Sequence, residues 1–299
     1  MARPALSATR AIDIVNFITN QPGHEFTLSE LVQRLEVNIA SCHAILNTLT
    51  ENGYLVRHPS HKTYTLGPAL VAAGQAALER HPAIGMARDE GARLAAESGL
   101  EVMLTARIGR DMVGLAHYGR FHSTAPSIKV GQHVPLTPPM GGLFMAWSSE
   151  DQVDEWLKRL PHKVTKTERA KYQELLFAIR KRGYAIYREN SLPRQIGQVV
   201  REMSFSSSSP ADRKRLTGLI DRLDIATHYL IHPRRGERYH IRMLAAPIFN
   251  QHGSISYAIY LSGFGDTLGT EELDRYARML TESCRSVTLQ SNGKWAGEP

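Results

Sequence analysis

Three short stretches with the apolar spacing of helices, followed at once by two short alternating runs, fill the first 66 residues and constrain this chain more than any other feature. Residues 7–20 carry Ala11, Ile14, Val15 and Ile18, the i, i+3, i+4, i+7 stripe of an amphipathic helix, and Gln21-Pro22-Gly23 ends it. Thr27 with Glu30 three residues on predicts a capping box at the head of a second helix, whose Leu28, Leu31, Val32 and Leu35 face inward. A turn at Val37-Asn38 leads into a third helix, IASCHAILNTLTEN, with Cys42, Ile45, Leu46 and Leu49 on its buried side and Gly53 where a glycine closes a helix. YLVRH and TYTLG, joined by Pro59-Ser60-His61-Lys62, read as a β-hairpin. A helix pair with a tight turn and a hairpin behind it is the pattern of a winged helix-turn-helix, in which the later helix enters a DNA groove. A generic small α+β domain would share it.

At 299 residues the chain has room for a second domain. Pro68–Arg80 is Ala-rich and reads as a connecting helix; its small apolar residues would suit dimer packing, or are simply good helix formers. Beyond it the pattern predicts a helix over 83–98, a hairpin from EVMLTARIG and DMVGLAHYG, and a helix running from Pro138-Pro139 through Trp147. Further helices are expected at 150–160 and 167–182, a strand at 183–188, a hairpin from YHIRMLAAPIFN and GSISYAIYLSGF, and a closing helix at 270–289. Antiparallel strands with helices gathered beside them make the fold class α+β. The expected division is 1–67 for the helix-turn-helix, 68–81 for the linker helix and 82–299 for the second domain.

Charge alone does not single out the first domain. The net charge is +7, but residues 1–66 balance Arg3, Arg10, Arg34, Arg57 and Lys62 against Asp13, Glu25, Glu30, Glu36 and Glu51. Much of the excess lies between Ser191 and Arg242. No run of about 18 apolar residues suggests a membrane span. Met1–Arg10 lacks the apolar core of a signal peptide, and the two cysteines, Cys42 and Cys284, are far apart, so a cytoplasmic location is expected.

The stretch RAIDIVNFI…TLSELVQRLEVNIASCHAILNTLTENGYLVRHPSHKTYTLGPAL resembles the DNA-binding domain of IclR-type bacterial regulators, GYLVRH…TYTLGP being its most specific part. VGQHVPLTPPMGGLFMAW, IRKRGYAI, LAAPIFNQHGSISYAIYLSG and the last helix resemble that family's effector domain in the same order. The resemblance implies a GAF-like effector-binding domain, dimers or tetramers, and repression or activation of operator DNA controlled by a small molecule. Two features depart from the family. Where it has a Lys-Ser-Thr-like start to the recognition helix and then a His-Arg pair, this chain has Ile39, Ala40 and Ser41, then His43 and Ala44, which removes two cations. An insertion of about fifty residues, 191–239, replaces a short connection.

On the third helix Ser41, Ala44, Asn47, Thr48 and Glu51 face away from the buried stripe, with His43 on the flank. Ser41, His43, Asn47 and Thr48 are the expected base- and phosphate-reading residues, since a recognition helix reads mainly from its N-terminal half and Asn can bond adenine twice. Arg57, His61 and Lys62 on the wing, and Arg3 and Arg10 on an N-terminal arm, are candidates for phosphates or a minor groove. The alternative for each is a solvated surface residue. Cys42 reads as a small core hydrophobe.

By motif, the resemblance carries the family's effector-lining positions onto Met140, Gly141, Tyr187, Met243, Tyr260 and Ser262. Tyr187 replaces the family's acid. Met and Tyr give an apolar site with a few polar tips, which points to an effector larger and more aromatic or alicyclic than a two- or three-carbon acid; the alternative is that these residues only fill a core. The basic groups Arg213-Lys214-Arg215 and Arg234-Arg235 suit an exposed face, a second DNA patch or a lid over an anion. His228 and His232 stand four apart but lack a third ligand, and no phosphate loop or nucleophile elbow occurs. No catalytic residue, metal or cofactor is expected. The alternative function is a ligand-binding or protein-interaction module with a degenerate helix-turn-helix.

Overall fold

A computed structural model describes residues 5–21, 23–119, 130–189 and 224–296, with isolated positions between 190 and 223. Arg3, Arg213 and most of the expected insertion lie outside the described residues.

The N-terminal part is built from α1 (Leu6–Thr19), β1 (Phe26–Thr27), α2 (Leu28–Leu35), α3 (Ile39–Glu51), β2 (Leu55–Arg57) and β3 (Thr63–Leu66). The capping box forms: Thr27 Oγ1 accepts from the Glu30 amide at 3.3 Å, and Glu30 Oε2 accepts from the Thr27 amide at 2.7 Å. Glu36, with φ 50, is the left-handed residue that turns α2 towards α3. The next cap, Asn38, carried no signal in the hydrophobic pattern; its Oδ1 accepts from the amides of Ala40 at 2.9 Å and Ser41 at 3.3 Å. These bonds satisfy donors that the first helical turn leaves unpaired. The wing has three strands rather than two, in the order β1-β3-β2, because Phe26 pairs with Tyr64. Ile14, Phe17, Ile18, Leu31, Cys42, Leu46, Leu55 and Tyr64 form one core beneath it.

A linking helix, α4 (Pro68–Arg80), starts where the Gly67 amide donates to the Tyr54 carbonyl at 2.8 Å, and it buries none of its own residues. Then α5 (Pro82–Ser98) leads to β4 (Glu101–Ile108), β5 (Asp111–Tyr118), β6 (His133–Pro135), α6 (Gly142–Met145), α7 (Glu150–Leu157), α8 (Lys166–Arg182) and β7 (Ala185–Arg188). The remainder comprises α9 (Ile225–His228), β8 (Arg238–Tyr239), β9 (Ile241–Phe249), β10 (Ile255–Ser262), β11 (Leu268–Gly269) and α10 (Thr270–Gln290).

Six strands make one antiparallel sheet in the order β6-β5-β4-β10-β9-β7. Strand alternation divides its side chains between two cores. Val102, Leu104, Leu244, Ala246, Ile259 and Leu261 point to the face covered by α5 and α10. Met103, Met112, Ala185, Tyr187, Ala245 and Tyr260 point to the other, covered by α6, α7, α8 and α9.

The expected helix from Pro138 to Trp147 is a correction. Pro138-Pro139 is a cis bond in the turn ahead of it, and only Gly142–Met145 is helical. Gly141 has φ 90, a left-handed conformation that a right-handed helix cannot contain, so the helix begins after it.

Candidate functional site

Two surfaces carry the candidate residues. The first is the outer side of α3. His43, Ala44, Asn47 and Thr48 are exposed there, whereas Ser41 is half-buried. Asn47 Nδ2 lies 3.4 Å from His43 Nδ1, so the two polar tips sit together one helical turn apart. The Thr48 hydroxyl donates to the Ala44 carbonyl at 3.1 Å and is thereby partly occupied. Ile39, at the head of the helix, is 57% exposed, an apolar group where a solvated face normally carries a polar one. On the wing, the exposed Arg57 lies over the Tyr64 ring at 5.8 Å. His58 Nδ1 accepts from the His61 amide at 3.1 Å, and the two rings lie 4.5 Å apart. Lys62 follows with φ 54. Arg10 is half-buried within α1 rather than on a free arm, because the helix begins at Leu6.

The second surface is the sheet face under α6 and α9. The registers set Tyr187 opposite Met243, Met243 opposite Ser262, and Ser262 opposite Glu101, one row across four strands. Tyr260 stands one step further along, opposite Ala245 and Met103. Met140 and Gly141 lie in the turn above; the Met140 carbonyl accepts from Trp156 Nε1 at 3.1 Å, which pins the turn.

Residues not expected at this site from the sequence join these. Tyr229 reaches in after α9: its hydroxyl donates to the Pro139 carbonyl at 2.9 Å. Gly142 is needed for that approach, since a Cβ there would lie 2.9 Å from the Tyr229 hydroxyl. The Tyr187 ring lies 4.8 Å from that of Tyr229, 6.1 Å from that of Tyr260 and 5.4 Å from that of His228. The Tyr260 hydroxyl bonds Met112 Sδ at 3.2 Å. Burial pushes all three phenols up, so they stay protonated. Burial, and secondarily the Arg242 charge, lowers the His228 imidazole to about 3, so it is neutral near pH 7. At the other end of the row, buried Glu101 has its Oε2 3.5 Å from Ser262 Oγ and 4.0 Å from His117 Nε2. Glu101 had a signal: it shares strand parity with inward Met103 and Thr105. Tyr229 and His228 lie within the expected insertion, 191–239, and no spacing ties them to the sheet.

The spacing of His228 and His232 does not bring them to one site. His228 is buried, whereas His232 is exposed and lies 2.8 Å from Glu174. Among the described residues no group of three potential metal ligands occurs. A cavity of about 250 Å³ opens between the start of α8 and α9, lined by Thr165, Lys171, Tyr172, Asp224 and Ile225, and none of the expected effector residues lines it. No helix among the described residues is long and apolar enough to cross a membrane.

Comparison with known proteins finds relatives for both parts of the chain. Residues 7–59 match the model of the IclR helix-turn-helix domain, and residues 75–199 that of the bacterial transcriptional regulator IclR C-terminal domain, together more than half of the chain. The DNA-binding transcriptional repressor YiaJ of Escherichia coli (strain K12) is 26% identical over 202 residues, spanning 63% of this chain and 70% of that protein. Among solved structures, an IclR transcriptional regulator from Alicyclobacillus acidocaldarius shares the fold with a TM-score of 0.67 at 19% identity, covering 97% of this chain and all of that one (100%). Thermotoga maritima IclR does so with a TM-score of 0.56 at 20% identity, covering 96% and 98%. A Microbacterium hydrocarbonoxydans IclR homolog complexed with 4-hydroxybenzoate has a TM-score of 0.60 at 13% identity, covering 95% and 98%. A capped helix with a wing behind it, and a six-stranded sheet under a cis-proline turn, are thus joined to two matching domain models: the chain belongs to the IclR family of DNA-binding transcriptional regulators, which are not enzymes.

Proposed function

We propose that this regulator reads its operator through Ser41, His43, Asn47 and Thr48 of α3, with Arg57, His61 and Lys62 of the wing on the phosphates, and that a small molecule held at Tyr187, Met243, Tyr260, Ser262, Met140 and Gly141 sets its affinity. Residues 1–67 form the DNA-binding unit, 68–81 the connection and 82–299 a GAF-like effector unit. The protein works in the cytoplasm as a homodimer or a higher homo-oligomer. Supporting the dimer, α4 buries nothing in the single chain and leaves Val71 74% exposed. The observation that carries the effector reading is the row Tyr187, Met243 and Ser262 beneath Tyr229, an apolar stretch with phenolic tips in which Tyr187 stands where the family has an acidic residue. It suits an aromatic or alicyclic effector larger than a two- or three-carbon acid, and the relative crystallised with 4-hydroxybenzoate supports that class.

The test is operator release. Purified protein on its own upstream DNA is titrated with ring carboxylates and with glyoxylate and pyruvate. Release by a ring compound, abolished by Tyr187→Ala with DNA binding intact, is the expected result; release by the short acids alone, unchanged by Tyr187→Ala, contradicts it. The second reading, an interaction module with a degenerate helix-turn-helix, is favoured by Ile39 and Ala44 standing where the family carries cations, in a segment of zero formal charge. Binding to the operator no tighter than to random DNA would select it.

A further inference from the structure

His228 is an unusual residue to find on this face. It sits on the last turn of α9, 3% exposed, with its ring edge-on to Tyr229 at 4.7 Å and to Tyr187 at 5.4 Å. Its Nδ1 is buried and has no hydrogen-bond partner among the described residues. Its neighbours do not offer one. The Tyr229 hydroxyl is spent on the Pro139 carbonyl, and that of Tyr260 on a thioether, a weak acceptor. A buried polar atom without a partner costs stability that an apolar side chain of the same shape would not, and such groups mark a missing ligand or water. The segment is also held in place: Arg182 donates from Nη1 to the Ile231 carbonyl at 2.9 Å and from Nε to the Tyr184 carbonyl at 2.8 Å, tying the chain after α9 to the end of α8. The orphaned nitrogen therefore cannot relax by swinging the segment outward without breaking that tie.

From this we infer that His228 is a specificity-determining residue of the effector site, whose Nδ1 exchanges a hydrogen bond with a ring hydroxyl of the ligand while the rings of Tyr187 and Tyr229 take its apolar body. The inference rests on the effector reading of this face and narrows it to hydroxylated rings. A hydroxyl fits because it both donates and accepts, so it pairs with a neutral imidazole in either tautomer. A carboxylate only accepts, so it pairs with the imidazole in one tautomer alone. Sites that bond a ligand hydroxyl discriminate strongly against analogues lacking it, because the protein's own polar group is then left unpaired.

The experiment measures binding of three matched probes, p-cresol, 4-methylanisole and p-toluate, by calorimetry to the full chain and to His228→Phe, His228→Asn and Tyr187→Ala. The wild type is expected to bind p-cresol about tenfold tighter than 4-methylanisole, the worth of one good hydrogen bond. His228→Phe, shown folded by its circular dichroism, should reduce that ratio below about threefold, and His228→Asn, which keeps a polar atom near Nδ1, should restore most of it. A ratio unchanged in His228→Phe, or p-toluate binding tightest to the wild type, overturns the role of His228 and leaves the effector site standing if Tyr187→Ala still weakens binding. If none of the three probes binds the wild type, the inference and the ring-effector reading fall together.

Discussion

A neutral imidazole buried at position 228 makes stability depend on pH in a definite direction. In the unfolded chain a histidine titrates near 6.5, and in the fold this one is lowered to about 3 by burial. Between those values the unfolded state binds the extra proton, so stability is fully present above the unfolded value and is lost as pH falls from 6.5 towards 3. The loss contributed by one such group is at most about 1.4 kcal/mol per pH unit. Urea denaturation of wild type and His228→Phe from pH 7.5 to 4.5 should show the wild type falling behind the variant as pH drops, with the variant at least as stable at pH 7.5. Parallel curves would mean that the imidazole is solvated or partnered in solution. On α3 the residue scale is different: His43 and Asn47 form a pair that a single-position reading does not show, and Thr48 spends its hydroxyl on its own helix.

The elements of the first 67 residues were largely legible because local chemistry defines them: the Thr27–Glu30 box, the apolar stripes, and Gly53 with φ 71 after α3. β1 was not, since two residues, Phe26 and Thr27, carry no period and are strands only through pairing with Tyr64 and Thr63. The α6 turn was misread because prolines ahead of a glycine pair suit a helix start equally well, and only the left-handed Gly141 decides. Tyr229 and His228 reach the sheet by a tertiary return that no local pattern encodes. The Asn38 cap, also missed, ties an element to function, since it closes the end of α3 that a groove would receive. Asn38→Ala should cost about 1 kcal/mol of stability and weaken operator binding, whereas Asn38→Asp should preserve stability. Thermal melts and operator titrations of the two variants check it; equal melts for wild type and Asn38→Ala would show that the cap does not hold the helix.

At the scale of the whole molecule, the proposed link from effector to DNA would run from the sheet face through α5 and α4 to the wing. α5 packs on the sheet face opposite the effector row, and α4 is joined to the wing through the Gly67–Tyr54 bond and the Ala69 amide on the Gly53 carbonyl at 3.0 Å. Gly67 allows no side chain, since a Cβ would lie 2.1 Å from the Gly53 carbonyl oxygen, so the junction is closely packed. A small molecule that favours one placement of α4 shifts operator affinity by a coupling free energy of about 1–3 kcal/mol. All of this requires that α3 reads DNA despite the balanced charge of its domain. The direct test is a titration of the full chain against its upstream DNA and a scrambled duplex at 50 and 200 mM salt, with Ser41→Ala/Asn47→Ala in parallel. The account predicts preference for the upstream sequence, affinity falling steeply with salt, and loss of the preference in the double variant, with about 1–3 kcal/mol lost per base contact. Equal binding to both duplexes, or a preference untouched by the double variant, would contradict it.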